Sequence, residues 1–226
     1  MLTQLKSSPT HEVYALHLPQ LKLRLMVPAM KLQLMSHLSD DELATYHDFT
    51  FKQPALRWLG ARLSAKWLLK NHVHSHLKTH QLSLIKNNKG APFCAVSGLP
   101  VGLSHTAELA IAALCTGTFG IDTEHQSRFN NTPAPWLTPG EQVCLSTLEK
   151  RTATQLWCIK EALYKAIGHG PFLTFCQAVS VVKWQPNSII INNNLYTQIT
   201  HWQYQAWQLH QHDILLLEPN YDASYS

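Results

Sequence analysis

The feature that most limits how this chain can fold is a pattern that occurs twice, 99 residues apart. Leu38-Ser39-x-x-Glu42 and Leu137-Thr138-x-x-Glu141 each place a hydroxyl residue three positions before a glutamate. That spacing is a capping box: the hydroxyl accepts the N3 amide while the carboxylate accepts the N-cap amide. Sixteen residues after each glutamate stands a tryptophan, Trp58 or Trp157, and eight residues later a lysine, Lys66 or Lys165. A period close to half the chain points to two related α/β halves rather than a solenoid of short repeats.

Composition agrees. The 226 residues are 45% apolar and 14% charged, enough to bury a core and too apolar for a disordered chain. No apolar run reaches the roughly 18 residues of a membrane helix, and Met1 to Leu18 has no apolar stretch of the secretory-signal kind. The five cysteines are odd in number and contain no C-x-x-C pair, so a reducing, cytoplasmic setting is expected rather than a disulfide framework or zinc ribbon. Residues 1–105 carry twelve Lys/Arg and five Asp/Glu, whereas residues 106–226 carry six and nine. A basic half followed by an acidic half fits an anionic ligand on one and a metal on the other.

Periodicity supplies the elements. Val13 to Leu18 reads as a strand, and Ser39–Phe49 and Gln53–Val73 as helices, with Pro54 in a first turn. Leu82–Lys86 is a short strand before an Asn87–Gly90 turn. Leu109–Cys115 and Thr118–Glu124 flank Thr116-Gly117 and read as a hairpin. Asn130–Pro135 is a loop, Thr138–Leu148 and Ala153–Ile167 are helices, and Gly168 closes the second. Strands are expected at Ala178–Lys183, Ile189–Ile191 and Ile214–Leu217. The element order implies a mixed α/β chain with largely antiparallel pairing in its second half. The expected organisation is an N-terminal half over 1–105, a C-terminal half over 106–219 and a frayed tail over 220–226.

Three segments carry chemistry. Gly120-Ile121-Asp122-Thr123-Glu124 ends a strand, so Asp122 and Glu124 share one face. Such hard oxygen ligands suit Mg²⁺, although two solvated acids at a strand end would read the same way. In the helix Trp157-Cys158-Ile159-Lys160-Glu161-Ala162-Leu163-Tyr164-Lys165, the stripe Leu156, Ile159, Leu163, Ile167 is the buried side. Trp157, Glu161 and Lys165 line another face at intervals of four, where Glu161 and Lys165 can form a surface ion pair. Gly102-Leu103-Ser104-His105 offers a hydroxyl and an imidazole but no G-x-S-x-G elbow, so phosphate contacts fit better than a nucleophile.

Together, the K-G-x-P turn at Lys89–Pro92, G-L-S-H at Gly102–His105, G-I-D-x-E at Gly120–Glu124 and W-x-x-K-E-A-x-x-K at Trp157–Lys165 resemble the 4′-phosphopantetheinyl transferases of the larger, two-repeat (Sfp) type. The last two motifs lie about 35 residues apart, as in that family, and the helix containing Arg57 and Arg62 is similar to the family's first-half helix. The resemblance implies an α+β fold: a pseudo-dimer of two similar α/β halves, each with an antiparallel sheet, with the active site in the cleft between them. It implies transfer of 4′-phosphopantetheine from coenzyme A to a serine of an apo acyl or peptidyl carrier protein, releasing adenosine 3′,5′-bisphosphate. Asp122, Glu124 and Glu161 would hold Mg²⁺, and Glu161 and Lys165 would be catalytic. Arg57, Lys89, Ser104, His105, Lys160 and Asp122 would contact coenzyme A.

The expected partners are a carrier protein and coenzyme A, with neither nucleic acid nor membrane, and the chain is expected to act as a monomer. Ala91, Glu42 and Thr45 depart from the family, which often has basic residues there, and this bears on how the 3′-phosphate is held. The segment His125–Trp136, with Arg128 and Phe129, offers the carrier an apolar and basic surface, or simply connects the halves. His72, His76 and His80 would share a face, and allow zinc, only if their helix continued. Two other readings use the same residues: a Mg²⁺-dependent phosphohydrolase acting on a pyrophosphate, and a non-catalytic binder of coenzyme A or carrier protein.

Overall fold

The computed structural model describes residues 1–7, 11–88, 90–129, 135–147, 152–192 and 196–221. Lys89, most of the expected 130–135 loop and the end of the expected tail, 222–226, lie outside them. The chain forms two compact units, Met1–Thr116 and Gly117–Ser226.

The first unit runs β1 (Leu2–Ser7), β2 (His11–His17), α1 (Leu18–Leu25), α2 (Pro28–Met35), α3 (Asp40–His47), α4 (Lys52–His72), a 3₁₀ turn at Thr79–Gln81, β3 (Leu84–Lys86), β4 (Pro92–Cys94), β5 (Gly102–His105) and β6 (Leu109–Cys115). Among the described residues its main sheet has the order β1-β2-β6-β5, every pair antiparallel, and β3 and β4 form a separate ribbon. α4 lies on β2, β5 and β6. Gly60 makes this possible, because a Cβ there would overlap the Leu18 side chain and press on Ala110.

The second unit contains β7 (Gly120–His125), α5 (Pro139–Thr147), α6 (Ala153–Ile167), α7 (Phe172–Ala178), β8 (Ser180–Trp184), β9 (Ser188–Asn192), β10 (His201–Leu209) and β11 (His212–Pro219). Its antiparallel sheet has the order β7-β11-β10-β9-β8. α6 packs on β7 and β11 through Leu156, Ile159 and Leu163, all buried. Trp202, Phe175 and Leu217 fill the core beneath it.

Several expectations change. Leu109–Cys115 and the strand after it are not a hairpin: β6 pairs with β2 and β5, whereas β7 pairs with β11 in the other sheet. All seven residues of β6 are buried, which marks a central strand. The units therefore part after Thr116 rather than at the expected 105/106 boundary. α4 stops at His72, so His76 and His80 do not extend its face, and no cluster of three metal-ligating side chains occurs among the described residues.

The repeat has a structural basis, with one change of partner. Ser39 and Glu42 form the capping box of α3, and Thr138 and Glu141 make the same reciprocal contacts at the start of α5. Each glutamate spends its other oxygen on a backbone amide, Leu84 N at 3.3 Å or Val181 N at 2.9 Å. Each also binds a fully buried lysine: Lys66 at 2.5 Å from Glu42, and Lys160 at 2.7 Å from Glu141. The counterpart of Lys66 is therefore Lys160, 94 residues on, and not Lys165.

Candidate active site

The site in the second unit begins at Gly120. A Cβ there would overlap the Ala162 carbonyl, so only glycine lets the α6 backbone lie this close to β7. The approach sets Glu161 and Lys165, on α6, against Asp122, on β7. Lys165 Nζ donates to Asp122 Oδ1 at 2.7 Å and to the Ile121 carbonyl at 3.2 Å. It lies 3.4 Å from Glu161 Oε1. Asp122 is buried, while the Glu161 and Lys165 side chains keep 30% and 29% exposure, so the cluster opens to solvent on the α6 side.

The charges in this cluster hold each other in place. Burial raises the Glu161 pKa and the neighbouring Asp122 charge raises it further, with Lys165 opposing. Burial alone would lower the Lys165 pKa, but Asp122 and Glu161 outweigh it and raise it above the ordinary lysine range. Lys165 is thus a permanent cation, and Glu161 a carboxylate with more than usual affinity for a proton. Behind them, Cys158 is buried; burial first and then the Asp122 carboxylate push its pKa well up, so the thiol stays protonated.

Glu124 is on the same strand face but turns to Arg128, with which it pairs directly, and its Oε1 also accepts the His125 amide at 3.0 Å. The Arg128 guanidinium lies 4.7 Å from the centre of the Trp157 ring and 5.2 Å from that of Phe129. Trp136 packs edge to face on Phe129 and Trp157, Trp157 does so on Phe172, and Phe129 meets Trp157 at a tilt. Trp136 is buried and Phe129 partly so, whereas Arg128 is among the exposed residues of the described part of the segment expected to offer a carrier surface.

Lys160 requires a correction. Its ammonium is buried between Glu141 and the carbonyls of Trp136 (3.1 Å) and Cys176 (2.6 Å), which uses all three N–H donors. It anchors the fold and has nothing left to give a ligand. Glu42 is likewise committed, to its capping box and to Lys66, which explains why an acid stands where a ligand-binding cation was expected.

The remaining candidates lie in the first unit. Arg57 is half-buried on α4, and its Nε has no hydrogen-bond partner among the described residues. Ser104 and His105 are consecutive on the edge strand β5, with Ser104 turned inward and His105 exposed, so they lie on opposite faces and form no dyad.

A match to a known family falls on the second unit. Residues 118–225 match the 4′-phosphopantetheinyl transferase superfamily. The matched stretch contains Asp122, Glu124, Glu161 and Lys165, so the residues that the fold assembles are those of the transferase-like segment. Comparison with curated proteins gave no significant match.

A Mg²⁺ site can be tested against this geometry. The donors are hard carboxylate oxygens, as Mg²⁺ prefers. Two carboxylates, Asp122 and Glu161, share the single Lys165 ammonium, which leaves net negative charge in the cluster. Asp122 and Glu161 fit a divalent cation on these grounds, whereas Glu124 fits only when it leaves Arg128.

Proposed function

We propose that this chain transfers 4′-phosphopantetheine from coenzyme A to a serine of an apo carrier protein. The observation that carries the reading is the Asp122–Lys165–Glu161 cluster, seated within the segment that matches the superfamily. In the reaction the serine Oγ forms a bond to the phosphorus nearer pantetheine. The bridging P–O bond breaks, and its electron pair leaves with adenosine 3′,5′-bisphosphate. Such a transfer needs positioning and charge neutralisation more than covalent help from the protein.

Lys165, kept charged by Asp122, stabilises negative charge on the pyrophosphate oxygens. Glu161, with its raised proton affinity, accepts the serine proton directly or through water. Asp122, Glu161 and, once freed from Arg128, Glu124 would hold Mg²⁺, which when bound supplies further neutralisation of the pyrophosphate. Proton acceptance and cation binding compete for the same Glu161 lone pairs. Arg57, Lys89 and His105 are assigned to the nucleotide phosphates, with Arg57 favoured for a forked contact, whereas Ser104 faces inward from β5 and would reach them only by turning.

The test is the intact mass of an apo acyl carrier protein after incubation with this protein, coenzyme A and Mg²⁺. A gain of one phosphopantetheine, abolished by EDTA and by Glu161→Gln, is expected. Coenzyme A cleavage without a carrier adduct would overturn the reading in favour of a phosphohydrolase. Coenzyme A binding with no adduct across fatty-acid, polyketide and peptide carriers would overturn it in favour of a binder.

A further inference from the structure

The α1–α2 hairpin of the first unit is an anomaly of exposure. Of the twelve large apolar side chains exposed among the described residues, five fall between Leu23 and Leu32. Met26 and Leu32 are each 73% exposed and Leu23 is 65% exposed. Isolated exposed apolar residues are ordinary, but five within ten residues of chain mark a segment that meets something else. The hairpin is fixed from below by Leu18, Leu21, Leu34 and Met35, all buried, so its tip projects from a firm base.

Two observations indicate what covers the tip. Met30 and Leu32 are two residues apart on α2, about 200° around the helix by the turn of 3.6 residues, and both are exposed. A partner groove covers one face of a helix, whereas a medium that surrounds the tip covers both. The charge is also one-sided: Lys22, Arg24 and Lys31 are exposed, and no Asp or Glu occurs between Glu12 and Asp40. Like charges on two copies of such a tip disfavour self-association, and exposed Lys and Arg beside apolar side chains complement an anionic lipid surface.

We propose that the α1–α2 tip seats this protein on anionic lipid surfaces, with Leu23, Met26, Met30 and Leu32 entering the interface and Lys22, Arg24 and Lys31 meeting the headgroups. This departs from the expectation that the chain has no membrane partner. It concerns peripheral docking, since no described helix is long and apolar enough to cross a membrane. It does not rest on the transferase reading.

The experiment is flotation of the full chain with vesicles of phosphatidylcholine alone and with added phosphatidylglycerol. Met26→Ser/Leu32→Ser removes the apolar contact and keeps every charge, and both positions are exposed enough to leave the fold intact, checked by Tm. Binding is expected only with phosphatidylglycerol, weakened by salt, and reduced about tenfold or more in the double variant because each lost buried CH₂ weakens partitioning. Equal binding of wild type and double variant would overturn the proposal, showing charge attraction alone. Absence of binding would also overturn it. Concentration-dependent dimers that the double variant loses would replace lipid with a second copy, and selective capture of an acidic helical protein would replace it with a protein partner.

Discussion

Lys165 on α6 reaches Asp122 on β7 at 2.7 Å, the shortest of its polar contacts and the one that keeps it charged. Substituting Lys165→Met should lower kcat for phosphopantetheine transfer on the order of 10²-fold, the usual loss when one charge-stabilising donor is removed, with a smaller change in KM for coenzyme A. Asp122→Asn should lower the Lys165 pKa and move the alkaline limb of the pH–rate profile toward neutrality. A profile unchanged in Asp122→Asn would remove Asp122 from its role of holding the cation.

Glu161 has a raised pKa in the folded protein, so between its unfolded and folded values the folded state binds more protons. Stability contributed by this group therefore falls as pH rises through that window, and at neutral pH its ionised form is a net cost. Glu161→Gln should raise Tm at pH 7, and the difference should shrink as the solution is acidified below the ordinary glutamate range. Thermal melts at several pH values decide this, and a lower Tm for the variant at pH 7 would contradict it.

Gly120→Ala would press a methyl group onto the Ala162 carbonyl, which belongs to backbone and cannot swing away. Overpacking of this kind costs about 1–3 kcal/mol, sometimes more. The variant should lose stability in urea titrations and lose transfer activity out of proportion, because the shift of α6 moves Glu161 and Lys165 away from Asp122.

The buried Glu141–Lys160 pair should behave as a unit. Lys160→Met leaves Glu141 without its cation and should cost about 3–5 kcal/mol. Glu141→Gln/Lys160→Met should recover a good part of that loss, and a double-mutant cycle by chemical denaturation measures it. If Lys160 instead contacted coenzyme A, the single variant would change KM with little change in stability.

β10 and β11 are joined by His210 and Gln211, both at positive φ (50° and 61°), with Leu209 facing His212. This is the geometry of a two-residue hairpin turn that normally uses Asn-Gly. Gln211→Gly should stabilise the second unit by up to about 1 kcal/mol, since a left-handed backbone costs non-glycine residues about that much. An unchanged or lower unfolding midpoint would show that the Gln211 side chain contributes more than its backbone costs.

The same turn explains part of what the sequence concealed. With His-Gln in place of Asn-Gly, nothing local marks the hairpin, and the sequence analysis expects no strand at β10 although Trp202 and Tyr204 alternate with exposed positions. α2 shows no one-sided apolar period, since Met30 and Leu32 lie on opposite sides, whereas α1, with Leu18 and Leu21 buried and Lys22 and Arg24 exposed, is one-sided but only eight residues long. By contrast, Asp122, Glu161 and Lys165 were legible, because strand alternation and helical spacing each fix a face without knowledge of the fold. The 99-residue offset matches Lys66 with Lys165, but equal spacing along the chain does not measure equal position in space: Glu42 and Lys66 are 24 residues apart, Glu141 and Lys160 only 19. Lys160 stands beside Glu161 in sequence, but the turn of the helix carries it away from Glu161 and into the core, which a sequence motif does not show.

The Glu–Lys anchor found in both units also shows where the two differ. One residue past the buried lysine, the first unit has Trp67 and the second Glu161; five residues past it, Asn71 stands against Lys165. The frame that fixes the helix is thus indifferent to what the next turn displays. A chain built this way can gain or lose reactive groups on one helix face by single substitutions while the anchor goes on specifying the architecture, which leaves its chemistry more free to change than its shape.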